Sequence, residues 1–479
     1  MSTPDPTASG SSAPAPGRDA REGSAAESFA NLRYAWLPAA LPAAARRLRV
    51  LDPGLASVLA DAGAELVEDE PDGEIGRAAR LSGDAGFALV SVDLERPERW
   101  PRAARVAWTA AASLRVRIEA ARARRALERL GYRTVDVHLW DWLQGWRAPE
   151  TTGFGPQAIA RRLPLNALVR GWRSAREPSL LDALVAEAET ALGGPFDPGA
   201  PLFRRGLVVV LGREGVLRAA VGPARARIEE QQSALAALEA ASPGPAVHDR
   251  VPWVRGGGKV GLADWSLESR LRGAVPAGEL DPGLLDECLE FLVALHRAGH
   301  GAPPQSSPAA DAEVVASASN PEDAPAVREL GSDLEERLAG IPRGFAHGDF
   351  WAGNLLVEGG RLAGVVDWDF AGPGRLPLLD LLGLRLGAVR VGRRLSFGRA
   401  LVAHLLPWAR SGGDERTRAY CDAVGAPQAA GRLEDFVAAL WLDTLARDLR
   451  TYADIGRRRS WAVENVRLVL SALVGRAPA

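Results

Sequence analysis

Residues 345–370 read FAHGDFWAGNLLVEGGRLAGVVDWDF, and three polar residues within them have a spacing that carries chemistry. Asp349 lies five positions before Asn354, and Asp367 lies thirteen positions after Asn354. Between Asn354 and Asp367, two apolar segments flank a Gly-Gly pair, which predicts a short hairpin of two strands. Because a hairpin runs out and returns, we expect Asn354 and Asp367 to lie at the same end of it.

These three residues meet the needs of phosphoryl transfer, in which the protein positions the acceptor and neutralises charge on the phosphates. Asp349 can accept the proton of an acceptor hydroxyl or orient that hydroxyl for in-line attack. Asn354 and Asp367 offer an amide oxygen and a carboxylate, which suit Mg²⁺ bound to phosphate oxygens. Protein kinases have the same Asp-to-Asn spacing and a later metal-binding Asp. Taken singly, each residue can also be a turn or capping residue beside Gly348 or Gly353.

At these positions the sequence resembles the aminoglycoside phosphotransferase and choline kinase family, whose signature is HGD, four residues, Asn and then a strand ending in Asp. The resemblance implies that Asp349 is the catalytic residue, that His347 supports the catalytic loop, and that Asn354 and Asp367 bind magnesium. It also implies an α+β, two-lobed protein-kinase-like domain that transfers the γ-phosphate of ATP, or of GTP, to a small-molecule hydroxyl. Two interpretations of Asp369 stay open, a partner of the metal site and a turn residue.

The resemblance extends to both sides of this stretch and covers about residues 201–479. The segment GRLPLLDLLGL, with Asp380, resembles the part of the family that follows the metal-binding Asp. The segment LVALHRAG, with His296, resembles the helix before the catalytic loop. The segment SLESRLRG, which ends at Gly273, is similar to the connection between the two lobes.

The nucleotide-binding side departs from the family pattern. The turn GREG, Gly212 to Gly215, occupies the place of the loop over the phosphates, although two glycines are also an ordinary hairpin turn. Arg218 stands where the family normally carries the lysine that contacts the α- and β-phosphates. An arginine fork can hold phosphate oxygens, yet the exchange is not neutral. The only lysine of the chain, Lys259, falls in a predicted turn.

In the family, the partner of that lysine is a glutamate on the following helix. The predicted helix RIEEQQSALAAL offers Glu229 or Glu230 for this role. Both can equally face solvent on an amphipathic helix.

Upstream of residue 201, strands alternate with helices, which predicts an α/β Rossmann-like domain with a parallel, doubly wound sheet. The segment RRLRVLDPGLASVLADAGAELVE resembles the opening of SAM-dependent methyltransferases. Its loop DPGLAS contains Gly54 alone and lacks the glycine-rich turn that lets a backbone approach a cofactor. We therefore interpret this domain as degenerate, with a role in scaffolding or partner contact. The predicted segments are a disordered leader at 1–28, the Rossmann-like domain at 29–192, a kinase-like N-lobe at 201–275, and a C-lobe at 276–479 with a flexible insert at 300–325.

The composition argues against several classes of partner. The formal net charge is −2, with acidic and basic residues spread along the chain, so no strong field favours nucleic acid or an anionic membrane. The first 28 residues lack the apolar core of a signal peptide, and we find no apolar run long enough to span a membrane. We expect a cytoplasmic protein without nucleic-acid or membrane partners, and its oligomeric state stays open.

Three functions follow from these patterns. The first is a small-molecule kinase, which the intact catalytic and metal-binding residues favour. The second is a bifunctional protein with a SAM-dependent methyltransferase-like N-terminal domain. The third is a pseudokinase-type binding module, for which Arg218 is the argument. The sequence does not identify the acceptor; Asp443 and Asp448 in the C-terminal helices can meet a cationic acceptor, but exposed helix faces commonly carry such residues.

Overall fold

The computed structural model describes most of the chain, and the described ranges are 37–76, 80–93, 102–140, 166–199, 201–204, 206–276, 280–305, 307–393, 395–451, 456 and 459–474. The chain forms two compact units that divide after residue 177, except that residues 203–206 belong with the first unit. The predicted leader, residues 1–28, lies outside the described ranges. None of the helices within those ranges combines the length and the hydrophobicity that a membrane span requires.

The N-terminal unit is built on a six-stranded sheet in the order β2-β1-β3-β4-β6-β5. Its strands are β1 (Arg47–Val50), β2 (Glu65–Leu66), β3 (Gly73–Ile75), β4 (Phe87–Asp93), β5 (Thr134–Trp140) and β6 (Asn166–Trp172). The pairs among β1 to β4 are parallel, whereas β6 runs antiparallel to both β4 and β5. The predicted alternation of strands and helices is present. The sheet is mixed and not wholly parallel, because the unpredicted strand β6 enters between β4 and β5; the Rossmann-like assignment stays a prediction.

The two longer helices that accompany this sheet are α1 (Pro53–Asp61) and α2 (Arg102–Arg129), besides a four-residue helix at Leu37–Ala40. The helix α1 begins almost directly after β1, with Pro53 in its first position and the Asp52 carboxylate accepting the N–H of Leu55 at 3.4 Å. The helix α2 presents an apolar stripe at intervals of three and four residues, which is one face of a helix. The stripe packs against β4 and β6, and its members are Val116, Ala120, Ala123 and Leu127.

The C-terminal unit opens with helix α3 (Leu180–Leu192), which begins at a capping box formed by Ser179 and Asp182. The strand β7 (Leu202–Arg204) follows it along the chain. Further strands pair antiparallel in the spatial order β10-β11-β9-β8, and their bounds are β8 (Leu207–Leu211), β9 (Gly215–Val221), β10 (Val254–Val260) and β11 (Ala263–Ser269). Because α3 packs on β9, β10 and β11, the division lies at residue 177, not at residue 192 as predicted.

The two faces of this sheet have different covers. Arg218 on β9 lies opposite Ser266 on β11, and Ser266 lies opposite Gly257 on β10, so the three share one face. A Cβ atom at Gly257 would collide with helix α4 (Arg225–Ala240), which therefore covers that face. The helix α3 covers the other face, where its last turn contacts Gly256. Arg218 thus points to the side of the sheet that carries α4.

The remainder of the C-terminal unit is mainly helical. Its helices are α5 (Pro282–Ala298), α6 (Pro308–Ala318), α7 (Ala324–Arg337), α8 (Leu379–Arg393), α9 (Phe397–Ala400), α10 (Leu406–Arg410), α11 (Glu415–Ala423), α12 (Leu433–Thr451), α13 (Arg459–Trp461) and α14 (Leu468–Val474). Its short strands are β12 (Gly344–Ala346), β13 (Leu355–Glu358), β14 (Arg361–Val365) and β15 (Gly372–Arg375). The core between them includes Phe291, Phe350, Trp368 and Phe436, all buried.

The predicted flexible insert at 300–325 is wrong in its centre, where α6 forms. Ser307 caps α6 by accepting the N–H of Ala310 at 3.1 Å, and Pro308 takes a first-turn position. The helix packs against α7 and α12, with Ala312 and Val315 fully buried. The polar composition of the flanking loops concealed this apolar face.

The predicted hairpin is β13 and β14, paired antiparallel with Leu355 opposite Val365. The N–H of Val366 donates to the carbonyl oxygen of Asn354 at 2.9 Å, so the pairing continues past both strand ends. Asn354 and Asp367 therefore lie at the same end of the hairpin, as the sequence predicts.

Candidate active site

A fixed loop follows β12 and carries the HGD segment. The buried carboxylate of Asp380 accepts the N–H of His347 at 2.7 Å and that of Gly348 at 2.9 Å. Burial raises the pKa of Asp380, and the His347 ring and these N–H donors oppose that rise. Gly348 has a φ of 81°, and a Cβ atom there would lie 2.3 Å from the carbonyl oxygen of Phe370, so only glycine fits. The segment is thereby held in one conformation.

His347 is fully buried beneath this loop. Its Nδ1 accepts the N–H of Asp349 at 3.3 Å, and its Nε2 lies 3.1 Å from the carbonyl oxygen of Val366. In the neutral ring, this pattern places the proton on Nε2. The imidazole therefore links the loop after β12 to the end of β14, and its role as a support for catalysis stays a prediction.

Asp349 is partly exposed, and both of its carboxylate oxygens meet a donor. The Asn354 amide nitrogen donates to Asp349 Oδ2 at 3.1 Å and to the Asp349 carbonyl oxygen at 2.9 Å. Nη2 of Arg447, on α12, lies 3.4 Å from Asp349 Oδ1. Arg447 also donates to the Gly348 carbonyl oxygen and stands over the Phe370 ring at 4.7 Å. These contacts fix the direction in which the Asp349 carboxylate points.

Asp367 follows β14 in a left-handed backbone conformation with a φ of 67°, which Asp tolerates better than most residues. Its side chain is 42% exposed, and Oδ1 lies 3.8 Å from Nη2 of Arg218. The pKa of the Asp367 carboxyl is raised by desolvation and by the neighbouring Asp369, while Arg218 opposes the rise. A nearby cation therefore stabilises the charged form of the Asp367 carboxylate.

Asp369 is fully buried and joins two arginines. Nη2 of Arg218 donates to one carboxylate oxygen, and Nη2 of Arg227, in the first turn of α4, donates to the other. Asp369 is thus more than a turn residue, and its role as a partner of the metal site stays a prediction. Burial alone lowers the pKa of Arg218, but the carboxylates of Asp369, Glu268 and Asp367 raise it overall.

Two predictions for the nucleotide-binding side, those for Glu229 and Lys259, differ from the structure. Arg218 meets Glu268, Asp367 and Asp369, while Glu229 and Glu230 are exposed on α4, so the predicted pairing with Glu229 is wrong. The helix turns Arg227 and Gln231, one turn apart, toward the sheet and Glu229 away from it. Lys259 lies on β10, not in a turn, and its Nζ is 3.5 Å from Asp264 Oδ1.

Gly212 and Gly215 do close the turn between β8 and β9, with the N–H of Gly212 donating to the Gly215 carbonyl oxygen at 2.9 Å. Packing within the protein already demands both glycines. A Cβ atom at Gly212 would lie 2.4 Å from the Phe196 ring, and one at Gly215 would lie 2.8 Å from Leu267. A role of this turn over phosphates stays a prediction.

Two acidic residues of α12 were possible contacts for a cationic acceptor. Asp443 is buried and bonded to Arg375 at 2.6 Å, so the fold uses it. Asp448 is partly exposed; burial raises the pKa of its carboxyl, Arg447 and Arg390 lower it, and Asp349 adds a further rise. The charge of Asp349 therefore reaches Asp448, and contact of Asp448 with an acceptor stays a prediction.

Three residues of this site escaped the sequence interpretation: Arg227, Glu268 and Arg447. A signal existed for Glu268, because Asp264, Ser266 and Glu268 alternate along β11, and three polar residues on one face of a buried strand are unusual. No local pattern marks Arg227 or Arg447, since their partners are distant in sequence.

The donor set fits a magnesium ion bound together with phosphates. The Asn354 nitrogen donates to Asp349, which leaves the Asn354 amide oxygen as an acceptor, and the Asp367 carboxylate lies at the same end of the hairpin. Both are hard oxygen donors. Across the described residues, no three His, Cys, Asp or Glu side chains converge as a metal-ligand group. The expected ion would therefore take its remaining ligands from phosphate and water.

The family model of the phosphotransferase enzyme family (APH) matches residues 203–420. Among solved structures, the chain is similar to choline kinase LicA from Streptococcus pneumoniae, at 12% identity and a TM-score of 0.42 over 62% of this chain and 100% of that chain. It is also similar to a thermostable mutant of aminoglycoside phosphotransferase APH(4)-Ia in complex with ADP and hygromycin B, at 16% identity and a TM-score of 0.40 over 62% and 100%. A third is APH(3'')-Id from Streptomyces rimosus, at 15% identity and a TM-score of 0.36 over 53% and 96%.

No curated protein matches the chain. The family match begins at residue 203 and leaves the N-terminal sheet outside it. Over its own range it includes the HGD loop, the hairpin, Arg218 and Asp369. Residues 203–420 of this chain are therefore similar to the phosphotransferase enzyme family, in the region where the sequence resembles aminoglycoside phosphotransferases and choline kinases.

Proposed function

We propose that the C-terminal unit transfers the γ-phosphate of ATP, or of GTP, to a hydroxyl group of a small molecule in the presence of Mg²⁺. The observation that carries this proposal is the contact between Asn354 and Asp349. One amide binds the catalytic carboxylate through its nitrogen, and its oxygen remains for a metal. Such a residue couples acceptor and nucleotide within a few ångströms, which is what in-line transfer requires.

In this reaction Asp349 acts on the acceptor. The acceptor hydroxyl donates to the Asp349 carboxylate, which takes its proton as the oxygen forms a bond to the γ-phosphorus. The bond from that phosphorus to the bridging oxygen breaks, and the nucleoside diphosphate leaves with the electron pair. Asn354 and Arg447 hold the two Asp349 oxygens in place, so the carboxylate is oriented before the acceptor arrives.

The nucleotide phosphates would lie beside Asp367 and Arg218. Asn354 and Asp367 are the residues that would hold Mg²⁺, and the ion, when bound, neutralises charge on the phosphate oxygens. Arg218 offers a guanidinium to the same oxygens, in the place of the family's lysine. Because ATP and GTP are cytoplasmic substrates, the cytoplasm is the compartment that we propose.

A second candidate function rests on one contact, that of Arg218 with Asp367 at 3.8 Å. A guanidinium this close partly neutralises the carboxylate that would bind the metal. Such an arrangement fits a pseudokinase-type module that binds a nucleotide without catalysing transfer. The complete set of Asp349, Asn354 and Asp367 favours the kinase.

Nucleotide titrations of the full chain, with and without Mg²⁺, test the proposal. We expect MgATP or MgGTP to bind, and Asp367→Ala to lower the Mg²⁺-dependent affinity by about tenfold or more, because a charged metal ligand is lost. Asp435→Ala removes an acid that pairs with Arg337 away from this site, and it serves as the matched control. An equal affinity of wild type and Asp367→Ala would contradict the metal role.

A further inference from the structure

A buried polar layer lies between α4 and the sheet of the C-terminal unit. It consists of Arg218 on β9, Ser266 and Glu268 on β11, and Gln231 on α4, each no more than 5% exposed. Arg218 lies directly opposite Ser266 in the pairing of β9 with β11, so Glu268, two residues further, is on the same face. Burying polar side chains lowers the stability of the fold unless they form hydrogen bonds or ion pairs with one another or with a ligand.

Within this layer, Glu268 and Arg218 are neighbours. Nε of Arg218 lies 3.8 Å from Oε1 of Glu268, and both side chains are about 95% buried, at 6% and 5% exposure. Neither atom has a hydrogen-bond partner among the described residues. The two groups are therefore close enough for an ionic interaction, and the 3.8 Å between Nε and Oε1 is longer than a hydrogen bond.

The Glu268 carboxyl is destabilised by its surroundings. Burial raises its pKa to about 7, the nearby Asp369 adds to the rise, and Arg218 is the largest opposing influence. A strand position that only packed against α4 would be served better by an apolar residue. Glu268 is thus an acid that costs stability and whose nearest cation is Arg218.

An arginine needs a different partner from a lysine. A lysine ammonium is a point charge that a single acid can orient, whereas the arginine fork has an Nε edge and an Nη edge. In this chain Asp369 takes the Nη edge, and Glu268 faces Nε. Two acids from two elements therefore fix the plane of the fork.

We propose that Glu268 is the positioning residue for Arg218 and replaces the acid that the helix α4 does not supply. It holds the Nε edge, so that the Nη groups face Asp367 and the phosphates of a bound nucleotide. Because β9 and β11 are adjacent strands, this orientation exists without any movement of α4. The inference rests on the proposed nucleotide binding by the same site.

The test is a double-mutant cycle on the full chain at pH 8, with MgATP and MgGTP affinity measured by calorimetry. Glu268→Gln should weaken binding of the preferred nucleotide by about tenfold, the effect of one charge-assisted contact. In an Arg218→Met background the same change should have less than about a twofold effect, because no guanidinium remains to orient. Glu268→Asp should recover part of the affinity. Asp264→Asn, which removes another buried acid of β11, should leave the affinity unchanged.

The four proteins of the cycle, which are wild type, Glu268→Gln, Arg218→Met and the double variant, are also unfolded with denaturant at pH 8 without nucleotide. Glu268→Gln should raise the midpoint, because it removes a buried charge, and should raise it more in the Arg218→Met background, where that charge has lost its cation. Weaker binding by a more stable protein is a combination that a merely structural role does not produce. Wild-type affinity in Glu268→Gln, or an equal loss in both backgrounds, overturns the inference. If wild type binds neither nucleotide, the proposed function fails, and additive midpoints would then also overturn the pairing of Glu268 with Arg218.

Discussion

Among the described residues, each unit buries one glutamate in its sheet, and the surroundings of these two glutamates differ. Glu74, on β3 of the N-terminal unit, is fully buried and accepts from Arg49 Nη1 at 2.7 Å, from the Gly83 N–H at 2.9 Å and from the Ser82 hydroxyl at 2.5 Å. Burial raises the pKa of Glu74, but these donors outweigh it and the pKa is lowered. Glu268 has the opposite balance, with an oxygen without a hydrogen-bond partner among the described residues and a pKa raised to about 7.

This difference indicates that Glu74 stabilises the fold, whereas Glu268 serves the candidate site. The carboxylate oxygens of Glu74 already accept hydrogen bonds from protein donors, so Glu74 needs no ligand to satisfy them. The layer around Glu268 contains several polar atoms without partners among the described residues, which a functional site tolerates at a cost in stability. The site of the C-terminal unit is therefore the place to look for ligand-dependent behaviour.

The largest effect that distinguishes the two acids concerns their arginines. Arg218→Ala should lower nucleotide affinity or turnover by about 10- to 100-fold, because charge-assisted phosphate contacts are lost. Arg218→Lys should remain active. Arg49→Ala removes the arginine that pairs with Glu74, and it should reduce stability without changing nucleotide affinity. Calorimetric titration of the three variants checks this, and wild-type kinetics in Arg218→Ala would show that Arg218 does not meet the phosphates.

A second effect concerns stability and its pH dependence. Glu74→Gln should cost about 3 kcal/mol at pH 7, since it breaks a buried, hydrogen-bonded ion pair. Because the folded pKa of Glu74 is lowered, its contribution is present at neutral pH and is lost as the pH falls through the folded pKa. Denaturant unfolding at a series of pH values measures this loss, and an unchanged stability of Glu74→Gln at pH 7 would contradict it.

Glu268 should give the opposite slope. Its pKa is raised from 4.5 to about 7, so the folded protein binds the proton more tightly, and the free energy of unfolding falls as the pH rises through that window. The charges that face it are Arg218, Asp369 and Asp367. Glu268→Gln should remove this component, so that the variant gains stability relative to wild type as the pH rises from 4.5 to about 7, and the gain stays constant above that. A constant difference between the two proteins from pH 4.5 to 8 would refute the buried, weakly compensated carboxyl.

The smallest effect is an expected absence of binding by the N-terminal unit. The connection after β1 is Leu51 and Asp52 only, and α1 starts at Pro53, so no glycine-rich turn approaches a cofactor. We predict no tight binding of SAM by this unit. Calorimetry of the full chain checks it, and a micromolar affinity for SAM would restore the methyltransferase-like alternative.

Sequence reasoning predicted the relative placement of residues that lie close together in the chain. His347, Asp349, Asn354 and Asp367 lie within one loop and one hairpin, and the turn Gly359–Gly360 fixes how that hairpin returns. These features depend on residues close together in the chain, which is what a single sequence records.

It failed where partners are distant. Arg218 meets Asp369 across 151 positions, and Arg447 meets Asp349 across 98, so no local spacing predicts either contact. The choice of Glu229 as a partner assumed that the helix supplies the acid, whereas the neighbouring strand does. The strand β6 was missed because its placement between β4 and β5 is set by the whole sheet.

The most direct test of the central claim is transfer of a labelled γ-phosphate from ATP and GTP to a small-molecule metabolite pool, with wild type and Asp349→Asn side by side. The account predicts a phosphorylated product from wild type with Mg²⁺, and a rate lower by about 10²–10⁴-fold in the variant, the usual contribution of a general base. MgATP or MgGTP affinity should be the same in both, since Asn354 and Asp367 remain. Near-normal transfer by Asp349→Asn would contradict the catalytic role of Asp349, and no Mg²⁺-dependent product from wild type would contradict the kinase itself.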